Sequence, residues 1–197
     1  MQMPFKWKGG VHPSYMKSPT PVKVITPPKE VTVPMQTHIG APCQPLVAVG
    51  DEVKMGQKIG DTDAFLHVPV HASVSGKVTG IETQRNAMGG VDTLVVIESD
   101  GQQTMDPELK PPVVTNHKEF VDAVKESGLV GLGGAGFPTW VKLSPKNLDE
   151  IDTLLINGAE CEPYITSDSA TLVEGNVIFV NVQSQSAIDA GIAYKDL

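Results

Sequence analysis

Cysteine is nearly missing from this chain: Cys43 and Cys161 are the only two, far apart and without Cys-x-x-Cys spacing. An iron–sulfur cluster takes four thiolates in its usual ligation, so these residues alone are not expected to hold one. A disulfide framework is not expected either. Aromatic residues are scarce at 5%. A basic surplus is also missing. Lys and Arg number 15 against 23 Asp and Glu, for a formal net charge of −8 and a pI of about 5.0. A nucleic-acid binder normally shows a basic face, so that function class is set aside. No window approaches the run of about 20 apolar residues that a membrane helix needs. The first ten residues, MQMPFKWKGG, have no apolar core of signal-peptide length. The chain is expected to be soluble and cytoplasmic, with no direct membrane span.

What is present is turn-forming chemistry. The 197 residues hold 16 prolines and 19 glycines, and apolar residues make up 40%. That suffices for a packed core, in one large domain or two small ones, with many turns and extended connections. Residues 1–34 are punctuated by seven prolines around short alternating pieces such as VKVI (22–25) and VTV (31–33). They read as an extended arm that adds edge strands to something else.

Residues 35–105 have a strand-and-turn rhythm. PLVAVGDEVKMGQKIGD (45–61) alternates around Gly50-Asp51 and Met55-Gly56. HVPVHASVSGKVTGIE (67–82) repeats the rhythm with Val68, Val70, Val74 and Val78, and TLVVIESDG (93–101) closes with one more strand. The pattern predicts a small β-sandwich or barrel. Residues 106–115 form a linker by composition. Residues 116–197 change register. NHKEFVDAVKESG (116–128) places Phe120, Val121 and Val124 at helical spacing, with Asn116 as N-cap and Gly128 as the stop. A glycine loop follows, then the buried strand TLLIN (153–157) running into an acidic loop, so this part is read as α/β.

The loop is the stretch GLVGLGGAGFPTWVKL, residues 128–143, with Gly128, Gly131, Gly133, Gly134 and Gly136 inside nine positions. Each glycine carries a backbone-entropy cost on folding, so something must approach this backbone closely. Glycine turns entering a helix expose N–H groups suited to phosphate. The spacing is not that of a P-loop. It satisfies G-x-G-x-x-G by letter from Gly131, but a helix rather than a strand leads into it. Lys142, on a helix that Pro138 would begin as its first residue, is placed to neutralise a phosphate. Asn157, Glu160 and Glu162 end a buried strand, where α/β folds gather ligand contacts and where acceptors suit hydroxyls and ring N–H groups. The competing readings are glycines that merely permit close packing, and ordinary surface charge for Glu160 and Glu162.

GLGGAGFPTWVKL followed by NGAECEP resembles the flavin-binding segment of the NADH-oxidising subunit of respiratory complex I and its relatives. KGGVHPSYMKS, QTHIGAPCQPLVAVGDEVKMGQKIGD and PVHASVSGKVTGIE are similar to the C subunits of Rnf electron-transport complexes. The resemblance implies FMN as cofactor and NADH as substrate, with Gly131, Gly133, Gly134, Gly136 and Lys142 near the flavin phosphate and ribityl chain. Asn157, Glu160 and Glu162 would line the ring or nucleotide side. It also implies partner subunits in a membrane complex, with the protein peripheral on the cytoplasmic face. Val130 and Leu132 depart from the complex I pattern, where arginines commonly stand.

VGDEVKMGQKIGD also resembles the turn of biotinyl and lipoyl carrier domains, which bear a cofactor on a lysine at the following hairpin tip. Here that stretch is DTDAFLHVPVH, with Thr62, Asp63 and Ala64 and no lysine. The expected fold class is therefore α+β. It comprises a β-rich, carrier-like barrel-sandwich domain without a covalent cofactor, followed by part of an α/β flavin-binding domain. His67 and His71 fall on one face of an alternating strand, with His38 the only nearby third histidine, and no metal site is expected.

Members of the resembled family are about twice this length or more, and the closing stretch VIFVNVQSQSAIDAGIAYKDL (177–197) follows EPYITSD abruptly. The expectation is a shortened chain, with the iron–sulfur clusters belonging to missing segments. Two functions are weighed. One is an electron-transfer subunit of an NAD:ferredoxin oxidoreductase, with no catalytic side chain and negligible turnover by itself. The other is a non-catalytic docking module that holds no cofactor.

Overall fold

The valine-rich stretches pair as antiparallel strands because alternation puts one side of each against a shared interior. In this computed structural model, residues 25–86, 89–132 and 134–151 are described. A four-stranded sheet runs in the order β1 (Glu30–Pro34), β7 (Val91–Ser99), β6 (Gly76–Arg85), β3 (Glu52–Val53). A three-stranded sheet runs β2 (Gln44–Pro45), β4 (Lys58–Asp61), β5 (Val70–His71). β1 lies within the proline-rich arm and forms an edge strand on β7, pairing Val31 with Ile97 and Val33 with Val95. On the other side of β7, Val78 opposes Ile97 and Ile81 opposes Val95, with a bulge between Val78 and Gly80.

The core lies among these strands. Val53, Ile59, Val78, Val95 and Ile97 are fully buried, joined by Met35, Cys43, Val70, Ala72 and Val74. Each buried side chain of this size is worth about 1.5–3 kcal/mol. Cys43 is a core residue rather than a ligand: its Sγ lies 3.2 Å from the carbonyl oxygen of Val68, and burial first, then Asp61, pushes its thiol up to about 11. A thiol in that state is a poor nucleophile and a poor metal ligand.

Beyond the β domain comes α1 (His117–Glu126). The Asn116 side chain accepts from the Glu119 N–H at 3.0 Å, Ser127 is the C-cap, and Gly128 follows at φ +72°. The local stop signals thus act as the sequence suggests. Of the apolar positions, Val121 and Val124 are half-buried and Phe120 is exposed, so that face is only partly covered. A one-turn helix, α2 (Thr139–Lys142), and a 3-10 turn (Leu148–Glu150) complete the unit, which runs from Ile25 to Ile151. Pro138 is the N-cap of α2 at ψ 121° and not its first helical residue. The expected strand 153–157 lies outside the described residues.

Candidate functional site

The glycine loop is closed at its neck rather than opening directly into a helix. Thr139 N–H donates to the Leu129 carbonyl at 3.1 Å, and Gly131 N–H donates to the Phe137 carbonyl at 3.0 Å. Val130 and Pro138 form an antiparallel bridge between them. Gly134 N–H turns back to the Gly131 carbonyl at 3.3 Å. The loop therefore projects from a hairpin-like stem, with Lys142 on the helical turn that follows the stem.

The glycines have different neighbours. Gly136 sits at φ +70°, and a Cβ there would stand 2.7 Å from the Thr37 carbonyl oxygen. Gly128 sits at φ +72°, and a Cβ there would stand 2.8 Å from the Pro69 carbonyl oxygen and 3.1 Å from His71 Nδ1. Both positions are glycine because the β domain comes against them and because the left-handed conformation disfavours a side chain. Gly134 is the opposite case: a Cβ would meet nothing within 4 Å. It is exposed, as is Leu132 nearby.

Gly131 and Lys142 are brought together. The Lys142 ammonium lies 3.6 Å from the place a Gly131 Cβ would occupy, and it stands 5.9 Å from the Phe137 ring centroid. Lys142 is half-buried. Among the described residues it enters no ion pair, whereas Lys58 and Lys118 both have carboxylate partners. A cation without a carboxylate partner among the described residues, beside a glycine-rich loop, is a donor set that fits an anionic oxygen group such as a phosphate. Of the other expected site residues, Gly133, Asn157, Glu160 and Glu162 lie outside the described residues.

The loop rests on a polar junction that sequence reasoning missed. Trp140 Nε1–H donates to the His67 carbonyl at 2.9 Å. Its ring meets Phe65 edge-on at 5.7 Å and lies under Lys125 at 5.3 Å. The His67 ring is held in turn: Nδ1 faces the Ala64 carbonyl and Nε2 lies 3.1 Å from Asp61 Oδ1. Lys58 bridges Asp61 and Glu126, joining β4 to α1. For Asp61, burial pulls the carboxyl upward, but hydrogen bonds from Lys58 and the Thr62 N–H and the nearby positive charge outweigh it, so it is held below the usual range. His71, opposite Lys58 in the β4–β5 pairing, is pushed below its ordinary value by burial first and then by Lys58.

His67 thus precedes β5 rather than sharing a strand face with His71. Among the described residues no group of three His, Cys, Asp or Glu stands ready for a metal ion. The available signal for Trp140 was scarcity, since one of the chain's two tryptophans falls inside its most glycine-rich segment.

Residues 5–102 match the RnfC Barrel sandwich hybrid domain, and residues 124–183 match the Nuo51 FMN-binding domain. The chain is 48% identical over 169 residues to the C subunit of the Na(+)-translocating ferredoxin:NAD(+) oxidoreductase complex of Acetobacterium woodii, an overlap covering 82% of this chain and 38% of that protein. It is 40% identical over 176 residues to the C subunit of the proton-translocating ferredoxin:NAD(+) oxidoreductase complex of Clostridium ljungdahlii, covering 86% of this chain and again 38% of the relative. The match thus spans little more than a third of the length of either relative. With a barrel-sandwich hybrid β domain followed by part of a Nuo51 FMN-binding domain, the chain belongs to the RnfC family.

Proposed function

We propose that the chain serves in the electron-transfer subunit of a membrane-associated, ion-translocating NAD:ferredoxin oxidoreductase of the Rnf type. In this reading it binds FMN and NADH through the loops 128–142 and 157–162. The observation that carries the reading is Lys142, half-buried, without a carboxylate partner among the described residues and poised over Gly131, inside a segment that matches an FMN-binding domain. When bound, flavin supplies the bridge between two-electron and one-electron chemistry, and the protein's part is to position it.

Gly131, Gly133 and Gly134 leave the backbone bare for close approach, Gly136 fixes the loop's return, and Lys142 neutralises the phosphate. Asn157, Glu160 and Glu162 offer acceptors to hydroxyls and ring N–H groups. No side-chain acid or base is assigned. Cys43 ligates no cluster, being buried with its thiol pushed up to about 11. Attachment to the cytoplasmic face of the membrane comes through partner subunits; no helix among the described residues is long and apolar enough to cross it. The same reading divides the chain by role into arm (1–34), β domain (35–105), linker (106–115) and flavin part (116–197).

The contacts of Gly128 and Gly136 with the β domain favour a second reading, a docking module whose glycines serve packing alone. Purified chain incubated with FMN and desalted separates the two. Retained yellow colour, with absorbance near about 450 nm as for flavins generally, supports the first. Lys142→Ala is then expected to weaken binding by about 1.5–3 kcal/mol, the range for a hydrogen bond to a charged group. Colourless protein selects the docking module.

A further inference from the structure

The hairpin tip where carrier domains bear their lysine is, in this chain, occupied by another part of the same fold. Residues 61–67 form a fixed platform. The His67 ring is held at both nitrogens, by Asp61 and by the Ala64 carbonyl, and the Leu66 carbonyl accepts from the Ala41 N–H at 2.9 Å. Onto this platform the indole of Trp140 donates its one hydrogen bond, to the His67 carbonyl, while Phe65 and Lys125 hold its ring from two directions. Trp140 lies in α2, two residues before Lys142. On the far side of the loop, Gly136 is pressed to the strand-free stretch 37–39, with the Ile39 N–H donating to the Gly136 carbonyl at 3.0 Å.

We propose that Trp140 is a positioning residue for the anion site: it pins α2 to the tip 61–67, which makes that tip the fixed seat of the glycine loop instead of a carrier arm. The physical need is plain. No α1 side chain is fully covered, Val121 and Val124 being only half-buried, and within α2 only Thr139 is buried, so neither helix has a core of its own to hold Lys142 over Gly131. A one-turn helix is not stable alone, and an ammonium on a wandering turn would lose the orientation that makes a charged hydrogen bond strong. The inference rests on the flavin reading for its consequence and on the junction's geometry for its existence.

The test uses the full chain with Trp140→Ala and Trp140→Phe, the second keeping an aromatic ring but removing the indole N–H. Amide hydrogen exchange is read at Ile39, which reports loop seating, and at Met35, whose N–H donates to the Thr93 carbonyl inside the β domain. FMN affinity is read in parallel. Trp140→Ala is expected to speed Ile39 exchange about tenfold or more and to raise the FMN dissociation constant about tenfold, a factor matching one good hydrogen bond. Met35 is expected to stay unchanged and Trp140→Phe to fall between. Unchanged Ile39 exchange overturns the proposal. So does Met35 accelerating as much as Ile39, which would make Trp140 an ordinary stability residue, and so does unchanged FMN affinity with Ile39 accelerated. If Trp140→Ala does not fold, Trp140→Phe decides by the same criteria. A wild-type chain that takes up no FMN sinks the flavin reading, and the exchange pattern still decides whether the tip seats the loop.

Discussion

The β domain and the segment that follows it are held by different forces. In the first, a cluster of fully buried side chains from both sheets excludes water. In the second, no α1 side chain is fully covered, and the loop is fixed by an indole N–H, by backbone hydrogen bonds and by the few buried residues at its return, Gly136, Pro138 and Thr139, while Lys58 ties α1 to the β domain's rim. Hydrophobic burial is non-directional and makes a stable body. Polar contacts add little net stability but set direction. A site placed on the second kind of segment can be precise only if the first kind lies underneath it.

Core truncation should show the largest contrast. Ile97→Ala is expected to cost about 2–5 kcal/mol of unfolding free energy, while Leu132→Ala, at the 79% exposed loop position, is expected to stay within about 0.5 kcal/mol. Urea denaturation of both variants checks this, and comparable losses would erase the distinction drawn between the regions.

The glycines sharpen it next. Gly136→Ala forces a side chain into left-handed backbone against the Thr37 carbonyl and is expected to cost about 1–3 kcal/mol or to unseat the loop. Gly134→Ala has open space around it and should leave stability unaltered. A loss of FMN binding in Gly134→Ala with unaltered stability would mark the ligand's approach. A stable, well-seated Gly136→Ala would contradict the packing account of that residue.

pH should act on the rim in one direction. His38 is pushed down by burial first and by His67, and His71 by burial first and by Lys58. A histidine whose folded value lies below its unfolded 6.5 binds its proton more readily once unfolded. Its stabilising contribution is therefore complete above about 6.5 and lost as pH falls through its folded value. Asp61, held low, adds a loss of the same sign at lower pH. Urea midpoints measured from pH 7.5 down to 5 should fall steadily; a rise would contradict these environments. The smallest effect expected is Lys58→Met, about 0–1 kcal/mol, because its partners Asp61 and Glu126 keep 28% and 59% of their side-chain surface exposed. A double-mutant cycle with Glu126→Gln measures it, and a coupling well above that range would make the bridge a principal tie.

Local signals were legible in the sequence. Asn116 caps α1 and Gly128 follows its end because capping chemistry involves only neighbouring residues. Of the alternating valines, Val70 and Val78 lie in β5 and β6, whereas Val68 and Val74 are buried but sit in the connections between strands. The barrel-sandwich fold was also legible, through turn spacing shared with carrier domains. Contacts far apart in the chain were not. Nothing near Gly136 announces Thr37, and nothing near Trp140 announces His67, 73 positions earlier. The apolar spacing of Phe120, Val121 and Val124 gave the helix correctly, yet periodicity does not say what covers a face. At the site, the pairing of Lys142 with Gly131 follows from a short loop and one helical turn. The Asn157, Glu160 and Glu162 loop lies outside the described residues, so its part in the site stays a proposal.

The central claim is that Lys142 and the loop beneath it recognise a phosphate on a flavin. Titrating the chain with FMN and with riboflavin, which lacks the phosphate, in wild type and in Lys142→Ala, tests that claim as a thermodynamic cycle. FMN is expected to bind wild type at least about tenfold more tightly than riboflavin, from one charge-assisted contact. Lys142→Ala is expected to remove most of that preference while leaving riboflavin affinity nearly unchanged. Equal affinity for the two flavins in wild type, or an equal loss for both in Lys142→Ala, would contradict it.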